Sequence, residues 1–252
     1  MKTTRLITRR NAIVTGLAAA GGFALTRNWH ELPPTYGNLL RMGDAVTYAA
    51  HRAVLPRQSL VREYTRADIT SFPAIGTTNP GKGAQTPLLE AYGRLQRGAF
   101  ADWRLSVEGL VATPRTFSLA ELQQLPSRTQ ITRHTCEEGW TAIAEWTGVA
   151  LSHVLDAAGM LPAARFVVSH TYDGWIDSID LLDALHPQTI LAYGMNQRDL
   201  PIPHGGPVRL RVERQLGYKS LKFLHRIVIV DKFDDGGKSG NIQNGWAWYT
   251  GI

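Results

Sequence analysis

One cysteine, Cys136, stands alone in 252 residues, and this scarcity excludes several chemistries at once. A lone thiol makes no internal disulfide, no iron–sulfur site and no CxxCH haem attachment. HExxH, paired-cysteine zinc spacing and the GxSxG elbow are also missing, which removes common signatures of zinc and serine hydrolases. Internal repeats, low-complexity tracts and sustained heptads are absent, against solenoids and coiled coils. The first 27 positions lack any acidic residue, while Lys2, Arg5, Arg9, Arg10 and Arg27 supply five positive charges; without them the net charge of +6 falls to about +1. The basic balance therefore belongs to the leader, and no nucleic-acid partner follows from it.

What is present begins with that leader. A charged start is followed by an apolar stretch from Ala12 to Leu25, too short for a comfortable membrane span. Thr8-Arg9-Arg10 resembles a twin-arginine export signal, which moves proteins already folded around a cofactor. The usual apolar pair after the arginines and a small-x-small cleavage site after Leu25 are lacking, so an uncleaved anchor stays open. The expected organisation is an export signal or anchor over 1–27, a linker and N-terminal helical arm over 28–67, and a catalytic domain over 68–252. That places the protein in the periplasm, with or without membrane association.

Scattered helical spacing in Leu39, Leu40, Met42, Val46 and Ala50 predicts a helix between Gly37 and Val54. Arg57 to Arg66 reads as a charged arm wrapping the domain, and Asp68 to Gly83 as a loop whose backbone donors are free to meet an anion. Trp103, Leu105 and Val107 alternate as in a half-buried strand. Ser118 and Glu121 form a capping-box pattern for a helix over Leu119 to Leu125, and Thr129 to Thr132 predicts a strand leading to Cys136. Leu151 to Ala158 follows helical spacing, ended by Gly159. Arg165 to Ser169, Trp175 to Ile179, Ile190 to Tyr193 and Val208 to Val212 read as strands, with a short helix over Leu181 to Leu185. The class is α+β with a mixed sheet, and the length suffices for one large core.

Cys136 has two readings. It is an inert, small apolar residue, or it is a ligand or nucleophile whose thiolate the neighbouring Arg133 and His134 favour. Thr132 to Trp146, including Cys136, Glu137, Trp140 and the run Glu145-Trp146-Thr147-Gly148-Val149, resembles the cofactor-cysteine segment of the sulfite-oxidase family of molybdopterin oxidoreductases. His204 to Val230, HGGPVRLRVERQLGYKSLKFLHRIVIV, resembles that family's pterin-binding stretch, with Glu213 where proline is common. The resemblance covers about Trp103 to Phe233 well and Asp68 to Asn79 weakly.

It implies a sulfite-oxidase-like molybdopterin-binding fold with mixed β-sheets and short helices. It further implies a molybdenum–molybdopterin cofactor with Cys136 as the metal's thiolate ligand, and oxygen-atom transfer on a small oxyanion or S-oxide. Arg133 and His134 are then expected beside the catalytic centre. Thr70, Phe72, Gly76, Thr171, His204, Arg209, Lys219, Ser220, Leu221 and Lys222 are expected to hold the cofactor. Arginine suits phosphate by its planar fork and lysine as a mobile charge. Electrons would pass through a separate cytochrome, in or near the membrane, serving a monomeric catalytic subunit. The aromatic run Trp246-Ala247-Trp248-Tyr249 either docks that partner or packs on its own domain. Two other readings remain: a zinc or hydrolytic site using Cys136, His134, His170 or Asp173, and a non-catalytic, exported ligand-binding module.

Overall fold

The computed structural model describes residues 39–55, 59–234, 240, 242 and 245–252, so the leader expected over 1–27 and the start of the linker lie outside the described residues. The chain divides into two units, Met1–Pro56 and Arg57–Ile252. Within the first, helix α1 spans Leu39–Val54, as its spacing predicts. None of the described helices is long and apolar enough to cross a membrane.

The second unit is α+β. Its helices are α2 (Pro87–Arg97), α3 (Leu119–Gln124), α4 (Leu151–Ala157) and α5 (Leu181–Ala184). Its first five strands are β1 (Arg104–Gly109), β2 (Arg115–Ser118), β3 (Ser127–Thr135), β4 (Thr141–Ala150) and β5 (Phe166–Thr171). The other five are β6 (Ile176–Asp180), β7 (Ile190–Met195), β8 (Arg198–Asp199), β9 (Arg209–Arg211) and β10 (Leu224–Val230). One sheet runs β2-β1-β10-β5-β6 and is mixed, because β1 and β10 are parallel while the other neighbours are antiparallel. The second runs β3-β4-β7-β8, with β9 also paired to β7.

Alternation explains how one core serves both sheets. Leu105 and Val107 of β1, Ile227 and Ile229 of β10, Leu191 of β7 and Leu210 of β9 bury their side chains in one apolar cluster with Leu151, Val154 and Leu155 of α4. Each such side chain contributes about 1.5–3 kcal/mol on burial. A smaller cluster of Ala144, Trp146, Ile190, Ala192, Met195 and Leu200 lies under Phe72.

Two connections position the candidate site. β3 and β4 form a hairpin in register from Ser127 opposite Val149 to Thr135 opposite Thr141, and Cys136 sits in its turn. The Cys136 N–H donates to the Trp140 carbonyl at 2.9 Å and the Gly139 N–H to the Cys136 carbonyl at 3.1 Å. The arm before Asp68 follows β3 rather than solvent alone. Glu63 bridges Thr132, the Tyr64 N–H donates to the Ile131 carbonyl at 2.8 Å, and the Gln188 side chain takes up the Val61 N–H at 2.8 Å.

Several elements extend beyond their sequence expectation. β3 and β5 are longer at their C-terminal ends, whereas β9 is shorter and gives Val208 and Val212 to the core. α2 and β4 are not read from periodicity at all, although Thr86 caps α2 and Pro87 opens it.

Candidate functional site

β3 alternates along its length, so His134 is buried while Arg133 points out. The hairpin turn then carries Cys136 to the wall of a cavity of about 370 Å³. His204 before β9, Arg209 on it, and Ser220, Leu221 and Lys222 in the loop after it also line the cavity. Phe72 to Thr77 belong to its lining too, as do Thr171 at the end of β5 and Asp173 just beyond it. Cys136, Arg209 and Lys222, far apart in sequence, therefore share one cavity.

Among the described residues, Arg209 and Lys222 have no carboxylate partner within hydrogen-bonding distance. Arg209 donates to the carbonyls of His204 at 2.9 Å and Ser220 at 2.7 Å, while its buried Nε has no hydrogen-bond partner among the described residues. Burial, then the neighbouring Arg211 charge, lowers its pKa to about 9. Lys222 donates to the carbonyls of Ile75 (2.8 Å), Pro203 (3.3 Å) and Thr77. Burial and Arg209 bring its pKa down to about 8. The turn before β9 needs Gly205 (φ 107°), since an added Cβ would lie 2.9 Å from Lys222 and 3.1 Å from Arg209. Arg209, with its orphaned Nε, and Lys222, a charge hydrogen-bonded to neutral carbonyls only, suit an anion with several acceptor oxygens.

Cys136 is in the opposite electrostatic situation, contrary to the sequence expectation of a stabilised thiolate. Its pKa is raised to about 11, by burial and then by the Glu137 and Glu138 charges, against one favourable backbone N–H from Glu138 at 3.5 Å. His134 contributes no positive charge, because burial, Arg211 and Arg209 hold its pKa down at about 2. A thiol in such a setting ionises readily only where a cation offsets the burial and the acidic neighbours.

Of the residues expected at the site, Cys136, His134, Phe72, Gly76, Thr171, His204, Arg209, Ser220, Leu221 and Lys222 line the cavity, and Arg133, Thr70 and Lys219 do not. Arg133 stands on the outer face of β3, its guanidinium 5.4 Å from the Tyr64 ring centre. Thr70 is a clasp on β4: its N–H donates to the Ile143 carbonyl at 3.0 Å and its Oγ1 accepts the Ile143 N–H at 2.9 Å. Lys219 is fully buried and bonds Asp177 at 2.7 Å and the Ser178 carbonyl at 2.9 Å, because a buried ammonium requires a nearby carboxylate.

Glu137, Glu138, Trp140, Thr77, Tyr218 and Trp246 also line the cavity; the sequence placed several of them in the resembling segments but gave none of them a role at the site. Asp173, considered only for a zinc or hydrolytic site, lies beside Thr171, whose Oγ1 donates to it at 2.5 Å; burial raises the Asp173 pKa. No group of three metal-ligating His, Cys, Asp or Glu occurs among the described residues. The aromatic tail divides. Trp248 packs against Phe166 and Phe233, whereas Trp246 lies on Tyr218 at the cavity. Arg211 and Glu213 form a buried pair that Arg-Leu-Arg-Val-Glu could have revealed, since alternation places all three charges on one face among core residues.

A family profile described as "Oxidoreductase molybdopterin binding domain" matches residues 92–237. A subunit named for protein-methionine-sulfoxide reductase, YedZ1 of Azospira oryzae, is 36% identical over 60% of this chain and 56% of its own length. The protein-methionine-sulfoxide reductase catalytic subunit MsrP of Ralstonia nicotianae is 30% identical over 60% of this chain and 50% of its own. The chain thus spans about half the length of these curated relatives. Among solved structures, the sulfane dehydrogenase SoxCD from Paracoccus pantotrophus matches 52% of this chain and 39% of its own, with 26% identity and a TM-score of 0.50.

Proposed function

The chain belongs to the oxidoreductase molybdopterin-binding domain family, and from that premise we propose that it is the catalytic subunit of an exported molybdenum–molybdopterin enzyme. Its reaction is oxygen-atom transfer at sulfur. Reduction of an S-oxide is the direction supported by the names of the two curated relatives.

The observation carrying this reading is the shared cavity, lined by the Cys136 thiol and by two cations, Arg209 and Lys222, that have no hydrogen-bonded carboxylate among the described residues. The residues fit the cofactor on physical grounds. The orphaned Arg209 Nε is a buried donor awaiting an acceptor, and mutual repulsion between Arg209 and Lys222 is relieved by a phosphate. When bound, the molybdenum centre supplies the two-electron redox chemistry. Cys136 would lose its proton and ligate the metal through Sγ. Arg209 and Lys222 would grip the phosphate end, with the Ser220 and Leu221 backbone and His204 alongside. Phe72, itself packed edge-on to Trp140 and His204, would keep water from the pterin. Thr171 and Asp173 would form a polar wall.

On the same reading, 1–27 directs export to the periplasm, 28–67 is a linker and helical arm, and 68–252 is the catalytic domain. Electrons would come from a separate, membrane-associated cytochrome. The test is to produce the wild-type chain and Cys136→Ser with and without molybdate, then measure bound metal, pterin fluorescence and dye-coupled reduction of methionine sulfoxide. Wild type should carry about one molybdenum per chain and turn over the sulfoxide. Cys136→Ser should stay folded, change the metal's absorption spectrum and lose turnover. Wild-type turnover in that variant would reject the ligand assignment.

A further inference from the structure

Arg211 and Glu213 have no part in the grip described above, yet they are as buried as any core residue. Arg211 binds Glu213 with two prongs, Nε to Oε1 at 3.1 Å and Nη2 to Oε2 at 2.7 Å. Glu213 is itself fixed by the Gln130 amide at 3.0 Å, which also donates to the Gln188 carbonyl at 2.9 Å. The Trp146 ring centre lies 4.4 Å from the Arg211 guanidinium. The remaining prong, Nη1, meets His134 Nδ1 at 2.8 Å.

That last contact determines where the imidazole carries its proton. A guanidinium has no acceptor, so Nδ1 must offer its lone pair, and the ring proton then resides on Nε2. His134 lines the cavity two residues from Cys136, and among the described residues no protein acceptor is hydrogen-bonded to its Nε2. The ring is held on its other edge as well: a Cβ on Gly217 would come within 2.4 Å of His134 Cε1 and Nε2. A buried ion pair is by itself a weak source of stability, since apolar residues of similar volume serve as well. Its geometry here does something apolar residues would not do, which is to orient a neighbouring donor.

We propose that Arg211 and Glu213 are positioning residues that lock His134 as the Nε2–H tautomer, making it a neutral hydrogen-bond donor to an oxygen of the substrate bound in the cavity. The identity of that oxygen rests on the molybdopterin reading above. The tautomer does not.

The experiment uses holoenzyme labelled with 15N-histidine, with His134 assigned by comparison with His134→Gln. Two-bond proton–nitrogen correlations should show one tautomer at His134, protonated on Nε2. The double variant Arg211→Met/Glu213→Gln removes both charges together and strands neither, so the fold is expected to persist. Its His134 should become a mixture of tautomers. Its kcat for methionine sulfoxide with a reduced dye should fall about tenfold, with KM and cofactor content little changed. Arg211→Lys, which restores a donor beside the retained Glu213, should recover the Nε2–H signal and part of kcat; it also serves if the double variant does not fold. An Nδ1–H ring in wild type, or Nε2–H persisting without a donor at 211, overturns the lock. A changed tautomer with unchanged kcat overturns the donor role. Wild-type holoenzyme without sulfoxide turnover would count against the proposed substrate, and the tautomer measurement would still decide the lock.

Discussion

Lys222 carries a cost in the cofactor-free chain that its ligand is expected to remove. Its folded pKa of about 8 lies below the ordinary 10.5, chiefly through burial and then through Arg209. Below about pH 8 the ammonium is charged in folded and unfolded chains alike, and the full penalty stands. Between about 8 and 10.5 the folded chain releases the proton while the unfolded chain keeps it, so this residue's contribution to stability rises with pH. Lys222→Met should therefore raise the cofactor-free melting midpoint at pH 7 by a few degrees, as about 1 kcal/mol corresponds to ~2–4 °C in a chain of this size. It should also flatten the rise toward pH 10. The same variant should retain cofactor about 10- to 100-fold more weakly, given the ~1.5–3 kcal/mol of a charged hydrogen bond. Thermal melts across pH, paired with pterin quantification, check both effects; weaker melting at pH 7 with normal retention would contradict them.

Among the secondary-structure elements, those with a local signal were legible and those without it were not. α3 shows both halves of its capping box: the Ser118 N–H donates to Glu121 Oε2 at 2.7 Å, and the Glu121 N–H to Ser118 Oγ at 3.2 Å. Ser118→Ala should lower stability by about 1 kcal/mol. Sulfoxide turnover should be unaffected, because no α3 residue lines the cavity; a denaturant titration beside an activity assay measures the separation. β4 gave no alternation to read. Its buried run from Ala144 through Trp146 to Ala150 has β3 on one side and β7 on the other, and both faces are largely covered. At the loop after β9, Gly217→Ala should cost about 1–3 kcal/mol by overpacking against His134. It should also reduce metal loading, since the displaced ring neighbours Cys136. Unaltered loading and melting in this variant would mean that the loop shifts freely.

At the level of the whole protein, the cofactor is expected to act as a fold-stabilising ligand. It would tie the β3–β4 hairpin to the loop after β9 and offset the charges of Arg209 and Lys222 together. Binding to the folded chain alone stabilises by RT ln(1 + [L]/Kd), about 4 kcal/mol at a thousandfold excess over Kd. Protein from molybdate-replete cells should melt several degrees above cofactor-free protein and resist proteolysis in the hairpin turn. Identical melting curves for the two preparations would show that these walls do not share a ligand.

The sequence by itself determined what depends on neighbours along the chain: the capping of α3, the strand leading to Cys136, the turn before β9, and the basic face of Arg209 and Arg211. Family likeness in two long blocks added the cofactor and most of the cavity wall. Tertiary structure alone decided the partners of the charges. Lys219, adjacent to the grip in sequence, is claimed by Asp177 of β6, while Arg211 reaches His134 across 77 positions. It also decided that Cys136 is a buried thiol beside acidic groups instead of a thiolate beside basic ones. Burial makes an unpaired charge costly, so Lys219 and Arg211 are committed to the carboxylates that folding brings within about 3 Å. That distance is a property of packed strands and loops, and no spacing along the chain reports it.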